Sequence, residues 1–165
     1  MEIFLLGAGK PSAGVHPSAL KKITIDTSAL DWQIRSFNSV EGDVRFLGGY
    51  HAEDVIHKYP QLKYTVIPDW DKQTVLHTLL EAPLPTSDIL VSYADTIFRS
   101  NTIESVCNTP GDIVIGVDSA WKGRFQNREQ VDLVSAETIL LEDYKSGSGE
   151  VEFTGLVYFK KMLLN

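Results

Sequence analysis

Short apolar runs alternate with longer amphipathic stretches along most of this chain. The runs are rich in Val, Ile, Tyr and Phe, and several are apolar at consecutive positions, which is typical of strands covered on both faces. We therefore predict seven strands, at Glu2–Leu6, Asp43–Gly48, Leu62–Ile67, Asp88–Ser92, Asp112–Val117, Val131–Ser135 and Val151–Phe159.

The amphipathic stretches between the runs predict helices. The first follows a cap at Thr27 or Ser28, and the last opens with a capping box from Asn101 to Glu104. Strands that alternate with helices favour an α/β sandwich with a mostly parallel sheet. The predicted helices run through Leu30, Ile34 and Phe37, over His51–Lys58, over Gln73–Leu80 and from Asn101 to Cys107.

The length of the chain predicts one domain over residues 1–165, since 43% hydrophobic residues are enough for a core of that size. The last predicted strand is followed by Lys160–Asn165, which resembles the opening of a helix. Two interpretations stay open: either the domain lacks its last elements, or the terminus is frayed.

Charge and cysteine usage exclude some classes of protein. Lys and Arg number 15 against 22 Asp and Glu, a formal net charge of -7, and no basic run could bind nucleic acid without regard to sequence. Cys107 is the single cysteine, which excludes an internal disulfide and is typical of a reducing compartment. No stretch resembles a signal peptide or a membrane span, so we expect a cytoplasmic protein.

The first strand runs directly into Gly7-Ala8-Gly9-Lys10. Two glycines at the end of a buried strand let main-chain N–H groups approach a phosphate that a Cβ would hold away, although a plain tight turn has the same pattern. Ser12 stands where a dinucleotide-binding fingerprint needs its third glycine, and the spacing of a P-loop is absent.

Two acidic residues follow other predicted strands. Asp95 comes just after the run that begins at Asp88, where a carboxylate could hold Mg²⁺ while phosphate oxygens fill the remaining positions. Asp118 is followed at three-residue intervals by Trp121 and Arg124, a set that could receive an ammonium group and clamp a phosphate. A turn-forming aspartate and a packed tryptophan are the alternatives.

The order of these motifs resembles the nucleotidyltransferase family that makes activated sugars and alcohols from nucleoside triphosphates. The family opens with a strand, Leu-Ala-Ala-Gly-x-Gly-x-Arg and a Pro-Lys-x-Leu segment, which resemble Leu5–Pro11 and Pro17–Leu20 here. The remaining matches are Val44–Tyr50 with the second strand and its Gly-Tyr turn, Thr74 with a threonine before a nucleotide-contacting helix, Asp95 with the metal-binding aspartate, and Glu152–Gly155 with a late strand.

The resemblance implies a three-layer α/β/α sandwich with a mixed, mostly parallel sheet. It implies transfer of a nucleotidyl group from a nucleoside triphosphate to a phosphorylated small molecule, with Mg²⁺ on Asp95 and an oligomer left open. The stretch from Asp118 to Arg124 is similar to a motif of the phosphocholine and aminoethylphosphonate cytidylyltransferases, which favours CTP. The implied site residues are Lys10, Lys21 and Asp95 for catalysis, Leu6, Gly7, Ala8, Gly9 and Thr74 for the nucleotide, and Asp118, Trp121, Arg124 and Glu152 for the substrate.

This chain departs from the family pattern at two cations. The family arginine falls at Pro11 and the lysine of the Pro-Lys step at Ser18, so Lys10, Lys21 or Lys22 must supply the missing charge. If none does, the domain binds a nucleotide without turning it over. A nucleotide-sugar-dependent glycosyltransferase is a third hypothesis, but it favours an Asp-x-Asp pair, which Tyr93-Ala94-Asp95 does not contain.

Overall fold

The computed structural model describes residues 1–12, 14–72, 74–126, 136–140 and 150–161. Its strands are β1 (Glu2–Gly7), β2 (Asp43–Gly48), β3 (Lys63–Val66), β4 (Ile89–Tyr93), β5 (Ile113–Asp118), β6 (Thr138–Leu140) and β7 (Glu150–Phe159). Its helices are α1 (Ala29–Phe37), α2 (Ala52–Lys58), α3 (Val75–Leu80), α4 (Ser100–Asn108) and α5 (Trp121–Arg124), with short 3-10 turns at Ser18–Leu20 and Trp70–Lys72.

These strands form one sheet in the order β3-β2-β1-β4-β7-β5, and β6 also pairs with β7. The pairs from β3 to β4 are parallel, whereas β7 is antiparallel to β4, β5 and β6. A single reversed strand in an otherwise parallel sheet is the mixed, mostly parallel arrangement that the sequence predicted.

The sheet is covered on both faces, because side chains of β1 alternate between two apolar clusters. Ile3 and Leu5 pack in a large cluster with residues of α1, α2 and α4. Phe4 packs on the opposite face, in a smaller cluster that Leu79 of α3 adjoins. The three-layer sandwich is therefore confirmed, although the layer that contains α3 is thin in the described part of the chain.

Strand β5 is not covered on both faces, unlike the prediction for the apolar strands. Ile113, Ile115 and Val117 of β5 are 52%, 46% and 41% exposed. Their period of two places them together on one face at the edge of the sheet. The apolar run identified the strand correctly, but a run alone does not show which element covers it.

The two predicted helix caps have different outcomes. Ser28, one of the two residues proposed as the cap, does cap α1, and it does so in a reciprocal capping box with Asp31 that the sequence analysis did not identify. The box at Asn101 is wrong: the N-cap of α4 is Arg99, two residues earlier, and no side chain makes a capping hydrogen bond there. Ile103 and Val106 of this helix are buried in the core, and packing of this kind is what stabilises most helices in proteins.

Parts of other predictions lie outside the described residues. These are the strand Val131–Ser135, the helix start at Gln73 and the end of the chain over 162–165. Within the described residues, none of the helices is both long enough and apolar enough to cross a bilayer.

The capping box predicts how the stability of the fold changes with pH. Burial alone would raise the pKa of Asp31, but hydrogen bonds from the Ser28 N–H, the Ser28 hydroxyl and the Tyr59 hydroxyl outweigh it and lower the pKa to about 2. This carboxylate therefore stabilises the fold above pH 4 by about 2 kcal/mol, and that stability is lost as the pH falls towards 2.

We expect Asp31→Asn to lower the free energy of unfolding near neutral pH and to abolish this part of the acid dependence. Urea denaturation of both proteins at pH 7, 4 and 2.5 measures it. The two proteins should differ most at pH 7 and converge at the lowest pH. A difference that stays constant over this range would contradict the assignment.

Candidate functional site

The carboxyl ends of β1 and β4 open into a cleft of about 930 Å³. These strands are parallel neighbours, so the segments that follow them meet at one edge of the sheet, where α/β proteins bind ligands. The cleft brings together the predicted nucleotide, metal and lysine residues: Leu6, Gly7, Ala8, Gly9, Lys10, Lys21, Thr74 and Asp95 all line it.

The glycines of the loop after β1 serve different purposes. A Cβ on Gly7 would lie 2.4 Å from the ring of Phe46, which is fully buried, so Gly7 is required for packing. A Cβ on Gly9 would meet no atom within 4 Å and would stand in the cleft. Gly9 is therefore where main chain is open to a ligand, as phosphate binding by amides requires.

The loop is also held from the second strand. Tyr50 N donates to Ala8 O at 2.8 Å, and a Cβ on Gly49 would lie 2.7 Å from the same oxygen. The Gly-Tyr turn after β2 thus packs directly under the glycine loop. This contact gives a physical reason for the pairing of the two motifs in the sequence.

Asp95 lies one residue after a main-chain link between β4 and β1, in which Ala94 N donates to Leu6 O at 3.0 Å. Its side chain is exposed and, among the described residues, accepts no hydrogen bond and forms no ion pair. The described chain contains no cluster of three or more His, Cys, Asp or Glu side chains suited to a metal. One free carboxylate fits Mg²⁺ that takes its other oxygens from phosphates and water, but not a metal held by protein alone.

The cleft is locally positive although the chain is acidic overall. Lys10, Lys21 and Lys22 line it, and no ammonium group of the three pairs with a carboxylate of a described residue. Lys10 Nζ lies 5.7 Å from the ring centroid of Tyr50. Unpaired cations beside open main-chain amides attract a polyanion.

Thr74, the N-cap of α3, lines the same cleft as the glycine loop. Its hydroxyl accepts a hydrogen bond from His77 N and lies 2.9 Å from His77 Nδ1. Thr74 is exposed and lines the cleft, so it could contact a nucleotide, and this role stays a prediction.

A second depression, of about 530 Å³, adjoins the cleft at Tyr93 and contains Asp118, Arg124 and Glu152. Arg124 Nε lies 2.8 Å from Asp118 Oδ2, and its guanidinium also donates to Glu152. Two carboxylates therefore already pair with Arg124, a contact that the sequence did not show, and its role as a phosphate clamp stays a prediction. Asp118 and Glu152 remain candidate substrate contacts.

Trp121 does not share this depression. The ring is 4% exposed, packs edge-on against Phe125 at 5.6 Å, and has Lys122 Nζ 5.4 Å from its centroid. A buried ring with a cation already over it does not present a face to a substrate. Packing, the alternative stated from the sequence, is what the described residues show.

Tyr93 joins the two cavities and was missed in the sequence analysis. It is the last residue of β4 and lines both, and its hydroxyl donates to Glu137 Oε2 at 2.9 Å. Burial first, and the hydrogen bond to Glu137 second, raise the pKa of Tyr93 well above its usual value, so the phenol stays protonated. The sequence could have indicated Tyr93 as a site residue, because it stands two positions before Asp95, at the end of the strand that Asp95 follows.

Known proteins resemble this chain in sequence and in fold. A CTP:phosphoglutamine cytidylyltransferase from Campylobacter jejuni is 22% identical over an alignment of 157 residues, gaps included, and the match covers 82% of this chain and 62% of that protein. The inositol-1-phosphate CTP transferase from T. maritima matches with a TM-score of 0.61 and 16% identity, over 99% of this chain and 71% of that one.

No family model matches the chain. The chain spans less than two thirds of the length of the Campylobacter relative, so similarity says nothing of the part it does not reach. The structural match shows the shared fold. The sequence relative supports the resemblance to nucleotidyltransferases that the order of the motifs indicated, and the structural match supports the fold that this resemblance implied.

Proposed function

We propose that this chain is a nucleotidyltransferase that uses CTP. One observation carries the proposal: the cleft at the ends of β1 and β4 combines open glycine main chain, unpaired lysines and a free carboxylate at Asp95. Amides and lysines suit a triphosphate, and a carboxylate suits the cation that accompanies it. The two cytidylyltransferase relatives support cytosine as the base.

In the proposed reaction, a phosphate or phosphonate oxygen of the acceptor attacks the α-phosphorus of CTP. The bond between that phosphorus and the bridging oxygen to the β-phosphorus breaks, and pyrophosphate leaves. Main-chain N–H groups around Gly9 and the ammonium group of Lys10 hold the triphosphate in line. Asp95 would hold Mg²⁺, which when bound neutralises charge on the phosphate oxygens.

The depression beside Tyr93 is the proposed acceptor site. Asp118, Glu137 and Glu152 contribute carboxylates there against the single guanidinium of Arg124. An excess of carboxylates disfavours an acceptor that is anionic throughout. We therefore propose an acceptor with an ammonium group at the end away from its phosphate, or a sugar-1-phosphate without further acidic groups.

A nucleotide-binding module without turnover is the second candidate. The observation that favours it is the absence of arginine from the lining of the cleft in the described chain, where Pro11 and Ser18 replace the family cations. The three unpaired lysines of the cleft favour the enzyme over the binding module.

We also propose a cytoplasmic location. The single cysteine and the proposed use of a nucleoside triphosphate both support it.

Release of pyrophosphate tests the function directly. The chain is assayed with Mg²⁺, each of the four ribonucleoside triphosphates, and a panel of sugar-1-phosphates, phospho-amino acids, phospho-amino-alcohols and aminoalkyl phosphonates. We expect pyrophosphate only with CTP and a matching acceptor. Tight binding of CTP with no release across the panel would instead identify the binding module.

The lysines are expected to control affinity for CTP. Lys10→Ala and Lys21→Ala should each raise the KM for CTP about tenfold, because each removes a charged contact to phosphate. Lys10→Arg and Lys21→Arg should recover most of the affinity. Lys160→Ala is the matched control, because Lys160 is exposed just after the end of β7, beside the start of β4 and outside the lining of the cleft. Equal KM values for all of these proteins would place the triphosphate elsewhere.

A further inference from the structure

One buried amide spans the turn that presents Asp95 to the cleft. Gln33 lies on α1 and is 1% exposed, and its Nε2 donates to Tyr93 O at 2.7 Å and to Thr96 O. These carbonyls bracket Asp95 in the sequence. An amide nitrogen carries two N–H groups, and since both partners are acceptors, the nitrogen end of Gln33 must face the turn.

The oxygen end of the Gln33 amide makes no hydrogen bond with a described residue that would stabilise the fold. Gln33 Oε1 is buried and accepts no hydrogen bond from any described residue. A buried polar atom without a partner destabilises the folded state. Among the polar groups of the Gln33 side chain, only the nitrogen is paired with described residues, and both of its partners are carbonyls of the turn, so we expect this amide to act on the conformation of the turn.

The turn is also fixed at its start. Ala94 is 2% exposed, and its N–H donates to Leu6 O of β1. With β1 holding Ala94 and Gln33 joining the carbonyls on either side of Asp95, the main chain at Asp95 has little freedom. Its side chain is left exposed in the cleft.

We propose that Gln33 is a positioning residue for the metal carboxylate: by tying Tyr93 O to Thr96 O, it holds Asp95 where a divalent cation bound to nucleotide phosphates must meet it. This inference rests on the proposed function. Residues that orient a metal ligand without touching the metal typically change its affinity by about 10–100-fold when removed.

A neighbouring residue provides a matched control. Ser36 is one helical turn further along α1, is 6% exposed, and donates through Oγ to Phe98 O at 2.7 Å. Trp32 Nε1 donates to the same oxygen at 2.7 Å, so Ser36→Ala leaves that carbonyl paired. Ser36→Ala therefore removes a buried hydrogen bond from α1 to the same segment without releasing the turn at Asp95.

The test measures binding of Mn²⁺, as a probe for Mg²⁺, to the whole chain by electron paramagnetic resonance in the presence of CTP and without acceptor. Gln33→Met, of similar length but without a donor, should weaken Mn²⁺ binding about tenfold or more. Its affinity for CTP without metal should stay within about twofold of the wild type. Ser36→Ala should bind Mn²⁺ as the wild type does, even where its melting temperature is lower.

If Gln33→Met does not fold, Gln33→Asn takes its place with the same expectation, because the shorter amide cannot span both carbonyls. Mn²⁺ affinity equal in the Gln33 and Ser36 variants, while the wild type binds Mn²⁺ and transfers nucleotide, overturns this inference and leaves the proposed function standing. A wild-type chain that binds CTP but no Mn²⁺ overturns the metal site, and this inference with it.

Discussion

Asp95→Asn is expected to lower turnover with CTP by about 100-fold or more while the fold survives. The carboxylate is exposed and, among the described residues, accepts no hydrogen bond and forms no ion pair, so its loss removes no such interaction from the fold. The amide that replaces it is isosteric but neutral, and it cannot supply the charge that a Mg²⁺ ligand needs. Removal of one group that stabilises a transition state costs about this much in other enzymes.

Steady-state rates of pyrophosphate release, with thermal melting of each protein, check this expectation. Glu104→Gln is the matched control, because Glu104 is an exposed carboxylate on α4, outside both cavities. It should behave as the wild type. Comparable turnover in Asp95→Asn would mean that the cation is held elsewhere and that the central assignment is wrong.

Gly9→Val should abolish CTP binding at concentrations that saturate the wild type, without a change in stability. The added side chain would meet no protein atom within contact range of its Cβ, yet it would occupy the part of the cleft assigned to phosphates. Isothermal titration with CTP measures the affinity, and urea denaturation measures the stability. We expect an affinity loss of about 100-fold, since both the approach to main-chain amides and the space are lost.

Gly7→Ala provides the opposite result as a contrast. Its Cβ would overlap the buried ring of Phe46, and overpacking of this kind costs about 1–3 kcal/mol of stability. The two glycines of one motif should therefore separate, with Gly7 controlling unfolding and Gly9 controlling binding. If Gly9→Val binds CTP normally, the triphosphate does not lie over the glycine loop.

The edge of the sheet where the site lies was predictable, because strands and their ends are local features of a sequence. Buried runs identified β1 and β4, and each run indicated which residue follows its strand. Parallel strands carry such residues to the same edge, so Gly9 and Asp95 could be expected in one cleft although 86 positions separate them in the numbering.

What could not be predicted depends on contacts between distant parts of the chain. In the sequence, Gln33 is one polar residue on a predicted helix. Only the packing of α1 shows that its side chain donates hydrogen bonds to the carbonyls of Tyr93 and Thr96. For Arg124, the sequence shows Asp118 six residues before it but does not show that β7 brings Glu152 beside it. In both cases the residue type was visible in the sequence, but its partner was not.

The account is tested most directly by a crystal structure of the chain with Mn²⁺ and a non-hydrolysable analogue of CTP. An anomalous signal then locates the metal independently of the nucleotide. We predict Mn²⁺ on the carboxylate of Asp95 and phosphates against the main chain at Gly9, both in the same cleft. Metal density away from Asp95, or a triphosphate bound in the depression beside Arg124, would contradict the account.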